Sequence, residues 1–103
     1  MKKDKRGMSF EWDDVKYWEN IKKHGLTFET AELVFLDPCY IDVFDEAHSS
    51  YTEERHLIIG LVEKVLCVVC VIYDDRIRII SCRIATKKEE REYYDRRTLQ
   101  RFQ

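Results

Sequence analysis

RHLIIGLVEKVLCVVCVIYDDRIRIISCRI, residues 55–84, is an apolar run divided into three by Glu63-Lys64 and Asp74-Asp75. Short segments rich in Val and Ile, separated by tight polar turns, are the pattern of strands joined as hairpins. Strands are therefore predicted over 55–62, 65–74 and 76–84. Strands linked this closely pair antiparallel, because a parallel partner needs a long crossover. Upstream, CYIDVFD (39–45) alternates apolar and polar residues and predicts a fourth strand, followed by the polar connection EAHSSYTEE (46–54).

Working outward, SFEW (9–12) reads as a brief strand. Asp13 or Asp14 caps a helix that runs to about His24 and stops at Gly25. Val15, Trp18 and Ile21 follow helical spacing and are expected to form its buried stripe. Thr27 caps a second helix carrying Phe28, Ala31, Leu33, Val34 and Phe35, which Asp37-Pro38 ends. At the other end, Thr86 and Glu89 make a capping box for a final helix through about Leu99. The expected fold class is α+β in two layers: a short N-terminal strand, two helices, a four-stranded antiparallel sheet and a C-terminal helix. One domain is expected over residues 1–103, with residues 1–8 a flexible basic extension.

Hydrophobic residues make up 45% of the chain and charged residues 37%, which suits a soluble domain with a charged surface. No apolar run reaches the roughly 20 residues that span a bilayer. MKKDKRGMSF lacks the apolar segment of a signal peptide, so a cytoplasmic location and no membrane partner are expected. Cys67 and Cys70 form a C-x-x-C inside a strand-like run, where residues three apart point to opposite faces. Together with Cys39 and Cys82 their spacing is wrong for a zinc site, and reduced core cysteines are expected. His24, His48 and His56 lack metal-ligand spacing, and the glycine-rich loops of nucleotide cofactors are absent. A site from His48, Asp45 and Glu46 is explained equally well as a polar loop. No metal and no cofactor are expected.

The net charge of −2 conceals a strong polarity: residues 1–25 carry +2, residues 26–75 carry −9, and residues 76–103 carry +5. A basic final quarter is the footprint of a phosphate-bearing ligand, or else a solvated helix face. Arg76, Arg78 and Arg83 interrupt the last strand and Arg55 opens an earlier one. By simple alternation Arg76 and Arg78 share a face with Ile80 and Cys82, while Arg83 falls with Ile77, Ile79 and Ser81. Guanidinium groups gathered on a sheet suit a phosphodiester, whose oxygens match their fixed donors. The competing reading pairs each arginine with an acid from residues 29–75. His24, at a helix C-terminus, is either favoured there by the helix dipole or a proton carrier near phosphate. Trp12, Trp18, Tyr93 and Tyr94 offer stacking surfaces, with Trp18 expected in the core.

FEWD (10–13), Lys16, Asn20, KHG (23–25), Phe28 with Ala31, VF (34–35), DP (37–38), His48, ER (54–55), Gly60, RIIS (78–81), Arg83, Ala85-Thr86 and Glu90 with Tyr93 together resemble the BrnT toxins of type II toxin–antitoxin modules. The resemblance runs from about Phe10 to Tyr94; Cys82, Tyr17 and the basic N-terminus depart from the usual pattern. It implies a RelE-like fold, RNA cleavage that stalls translation, and a BrnA-like antitoxin whose DNA-binding part brings the complex to its operon. On that basis a metal-independent attack by the RNA 2′-OH is expected, with Arg55, Arg78 and Arg83 holding the phosphate. Lys16 or His24, and less readily Glu54, would move the proton. Trp12, Lys23, Arg76 and Lys87 are expected to contact RNA around that centre. The alternative is a non-catalytic module that binds protein or RNA.

Overall fold

The three apolar runs form one meander in a computed structural model that describes residues 7–100. Strands β3 (Arg55–Val62), β4 (Lys64–Ile72) and β5 (Arg76–Ile84) pair antiparallel in succession. The β3–β4 hairpin is so tight that Val62 pairs with Lys64, and Glu63 at its apex takes φ 61°. β2 (Ile41–Phe44) adds antiparallel to β3. β1 (Ser9–Glu11) lies on the other edge and runs parallel to β5, aligning Phe10 with Ile77 and Glu11 with Arg78. The sheet order is β1-β5-β4-β3-β2.

The α+β architecture is as expected, with two differences of detail. The sheet has five strands and is mixed, because the long stretch between β1 and β5 supplies the crossover that parallel pairing requires. The helices also divide between its faces. α1 (Asp14–His24) and α2 (Phe28–Val34) cover one face, and α3 (Lys87–Gln100) covers part of the other. The expected extension over 1–8 falls largely outside the described residues; within them Met8 packs on the core.

Local chemistry explains the helix boundaries. Asp13 Oδ2 accepts from the Lys16 amide at 3.0 Å and opens α1; Gly25, at φ 70°, closes it by donating to the Ile21 carbonyl. Thr27 Oγ1 accepts from the Thr30 amide to start α2. Thr86 and Glu89 form the predicted reciprocal box at α3.

The buried stripe of α1 differs from expectation. Val15 and Trp18 are 63% and 67% exposed, while Tyr17, Asn20 and Ile21 turn inward. The helix is rotated because Asn20 has a stronger claim on the interior. Its amide donates to the carbonyls of Leu26 and Cys82 and accepts from the Cys82 amide, all within 3.0 Å. β1 is too short to cover this part of the β5 edge, and Asn20 takes the place of the missing strand.

The larger core lies between the sheet and α1–α2, built on Phe10, Phe28, Val34, Phe35, Ile58, Leu66, Val68 and Cys70 with Ile77, Ile79 and Cys82. Gly60 lets α2 approach closely, since a Cβ there would stand 2.9 Å from a Val34 methyl. The smaller cluster, under α3, contains Ile41, Ile59, Val65, Cys67 and Tyr93. Cys67 and Cys70 thus sit in different clusters, and burial pushes the Cys67 thiol up to about 12. Asp37 pins α3 down: its carboxylate accepts from Tyr93 Oη and from the amides of Cys39 and Leu61. Burial alone would raise the Asp37 carboxyl, but these hydrogen bonds, Tyr93 first, hold it below its ordinary value.

Candidate active site

The decisive local feature is a β-bulge. Val69 pairs with Ser81 and its neighbour Cys70 pairs with Ile79, so Ile80 is an extra residue with no counterpart on β4. The inward positions of β5 therefore run Ile77, Ile79, Cys82, changing parity at the bulge. This corrects the facing drawn from simple alternation. Arg76, Arg78, Ser81 and Arg83 all project to the α3 side, away from the larger core.

Arg55 joins them. Arg55, Val71, Arg78 and Glu11 stand abreast across β3, β4, β5 and β1. With strands about 4.8 Å apart, Arg55 and Arg78 are separated by about 10 Å along this row. The next row toward α3 is Leu57, Val69 and Ser81, and beyond it Arg83 stands opposite Cys67. α3 covers the far end of this face, where Cys67 is buried, and leaves Leu57, Val69 and Ser81 partly exposed between the arginines.

Two adjoining depressions meet at the bulge. One, of about 400 Å³, is lined by Asp45, His48, Arg55, Leu57 and Val69 together with Ile80, Ser81 and Arg83. The other, of about 390 Å³, lies between α1 and the β5 edge, where Lys16, Glu19, Asn20, Lys23 and His24 face the same Ile80, Ser81 and Arg83. Both are of ordinary ligand-site size. Arg83 is their shared cation. Its Nη1 and Nη2 donate to the two oxygens of Glu89 at 2.7 and 3.0 Å, which fixes the guanidinium plane and raises its already high pKa. The same bond holds the Glu89 carboxyl below the usual carboxylate range.

The remaining predicted residues divide. Lys16, Lys23, His24, Arg55 and Arg83 come together around the two depressions. Arg78 lies on the same face but lines neither; its Nε donates to Glu11 at 2.9 Å. Arg76 is held by Glu11 and Asp75 and lies over the Tyr73 ring at 4.0 Å. Arg55 is 3.6 Å from Glu53. Each arginine thus has an acidic neighbour, though Glu11 and Glu89 lie outside the 29–75 stretch expected to supply them. Trp12 packs against the larger core, stacked on Tyr17 and edge-on to Phe28. Tyr93 is fully buried and offers no stacking surface, and Lys87 is exposed at the start of α3. Glu54 lies 3.6 Å from His56 of β3, whose Nδ1 is 2.6 Å from Asp42 on the neighbouring β2. Among the described residues no three His, Cys, Asp or Glu side chains gather as metal ligands would.

Ser81 and Glu89 are not among the site residues expected from the sequence, and Asp45 and His48 are weighed there only as a metal site with Glu46. Arg78 and Arg83 are five residues apart, an odd interval that brings both to one face only because the bulge intervenes, and no residue of the strand announces it.

A family model described as the ribonuclease toxin, BrnT, of type II toxin–antitoxin systems matches residues 12–89. Among solved structures, the chain is similar to the ribonuclease toxin BrnT of Brucella abortus, with a TM-score of 0.61 and 26% sequence identity over 78% of this chain and 99% of that one. No curated protein sequence matches.

Proposed function

The chain belongs to the BrnT family of ribonuclease toxins of type II toxin–antitoxin systems, and from that premise we propose that it cleaves RNA where the two depressions meet. The observation that carries this reading is the bulge at Ile80, which turns Arg83 and Ser81 toward Arg55 and beside Lys16, Lys23 and His24. A phosphodiester over Ser81 meets guanidinium donors from two strands. These donors favour the extra negative charge of the phosphorane-like transition state over the ground state. Arg78 and Arg76 extend the positive surface along β5, with Lys87 at its far end and Trp12 beside α1 as further RNA contacts.

In this mechanism the 2′-oxygen attacks the adjacent phosphorus without a metal ion, leaving a 2′,3′-cyclic phosphate. Lys16 or His24, on the α1 side of Arg83, delivers a proton to the departing 5′-oxygen. A type II family implies an antitoxin partner; we assign that partner to the BrnA type, with DNA reached only through the complex and translation inhibited in its absence.

The test is purified chain incubated with RNA in EDTA. Cleaved RNA bearing cyclic phosphate ends is expected, with Arg83→Ala reducing the rate about 10²-fold or more. Loss of all cleavage in EDTA would reject the metal-free step. A second reading, a non-catalytic binding module, draws on the carboxylate partner already beside each arginine. That reading requires RNA that is shifted but intact.

A further inference from the structure

The polar connection between β2 and β3 carries a histidine that the mechanism so far leaves unused. His48 ends a 3₁₀ turn over Glu46–His48, and its Nδ1 lies 2.9 and 3.2 Å from the two oxygens of Asp45. A carboxylate only accepts, so Nδ1 carries a proton, and in the neutral imidazole Nε2 then presents its lone pair outward. The His48 side chain is 71% exposed, and it lines the depression that holds Arg55, Ser81 and Arg83.

The turn is anchored to the strand that bears Arg55. The Asp45 amide donates to the Arg55 carbonyl at 2.8 Å, and the Arg55 amide donates to Ser49 Oγ at 2.9 Å. Ser49 Oγ in turn donates to the Asp45 carbonyl at 2.6 Å. His48 and Arg55 are therefore held in one small hydrogen-bonded unit. The charged groups around this imidazole are Asp45 and Glu46 on its own turn, Arg55 with its neighbour Glu53 at the start of β3, and Arg83 from β5.

We infer that His48, oriented by Asp45, is the general base of the cleavage step, an assignment that rests on the ribonuclease reading. Nε2 takes the proton of the 2′-hydroxyl as the 2′-oxygen forms its bond to phosphorus. The bond from phosphorus to the 5′-oxygen breaks with its electron pair on that oxygen, which takes a proton from Lys16 or His24 across Arg83. The imidazolium left behind is supported by Asp45 and returns its proton to water. The division of labour follows from charge. The α1 side is rich in cations that can donate, whereas Asp45 engages Nδ1 of His48 and so leaves Nε2 as the nitrogen that can accept.

Single-turnover cleavage of a mixed-sequence RNA transcript by the full chain, followed across pH, tests this. The wild-type rate is expected to rise with pH along a limb set by one ionisation, since a base acts only when neutral. His48→Ala should lower the rate about 10²- to 10³-fold and erase that limb, and added imidazole should restore part of the rate. Asp45→Asn should lower it about tenfold in the wild-type background and have no further effect in His48→Ala. Cleavage by His48→Ala at the wild-type rate, or a reduced rate with the limb intact, overturns the assignment. If Arg83→Ala is inactive in that same experiment, only His48 loses its role. A wild-type chain that leaves RNA intact removes the ribonuclease reading and this inference with it.

Discussion

The two faces of this sheet are made from the same strands and solve opposite problems. Toward α1 and α2 the strands present Ile58, Leu66, Val68, Cys70, Ile77, Ile79 and Cys82, each buried. Toward α3 the apolar cluster is smaller and ends partway along the strands, and beyond it Arg55, Arg78 and Arg83 are partly exposed beside carboxylates. Fully burying an aliphatic side chain contributes about 1.5–3 kcal/mol, whereas an exposed ion pair contributes about 0–1 kcal/mol. Stability therefore resides on the first face. The charged half of the second contributes little to folding and is free to meet a ligand.

The sharpest way to break that comparison is Phe28→Ala. Phe28 is fully buried among Trp12, Tyr17 and the sheet, and its truncation should cost about 3–5 kcal/mol in urea denaturation. A loss under about 1 kcal/mol would show that the first face does not dominate. Asn20→Ala comes next, at about 2–4 kcal/mol, because it strands the buried amide and carbonyl of Cys82 at the sheet edge. The same change should loosen α1 against β5 and spoil the depression that holds Lys16 and His24.

On the second face, Glu89→Gln should cost about 1–2 kcal/mol at neutral pH, through loss of a charge-assisted bond to Arg83. The sign of its pH dependence follows from the lowered Glu89 pKa. The carboxylate's contribution is present above its unfolded value and is lost as pH falls through the folded one. Acid titration of Glu89→Gln, followed by circular dichroism, should accordingly be flatter below about pH 4.5 than that of the wild type. What acid sensitivity remains should come in part from Asp37, also held low by its hydrogen bonds. Smallest of all is Trp18→Ser, under about 1 kcal/mol, since the residue is 67% exposed and its ring stands edge-on to Tyr17. A larger loss would mean that the outer surface of α1 belongs to the core after all.

Much of this is legible in the sequence itself. Gly25, Thr27 and the Thr86–Glu89 box mark helix ends through local backbone chemistry, and all three act as read. The hairpins at Glu63 and Asp74-Asp75 were equally plain. Periodicity puts Trp18 on the wrong side of α1 because a 3.6-residue period names a stripe without saying which of two neighbouring stripes is buried. Asn20 decided that, through bonds to a strand some 62 residues away in sequence. Alternation misplaces the arginine faces because it assumes an unbroken ladder, and the bulge at Ile80 carries no glycine or proline to announce it.

From its amino acids alone this chain determined its elements, their order and the concentration of cations near its end, since all of these follow from interactions among residues close in sequence. Tertiary pairing alone decided that β1 runs parallel beside β5, that one unpaired residue turns Arg83 toward Arg55, and that α1 sets Lys16 and His24 beside them. Which groups share a surface depends on hydrogen-bond register between distant segments, and no local spacing encodes that register.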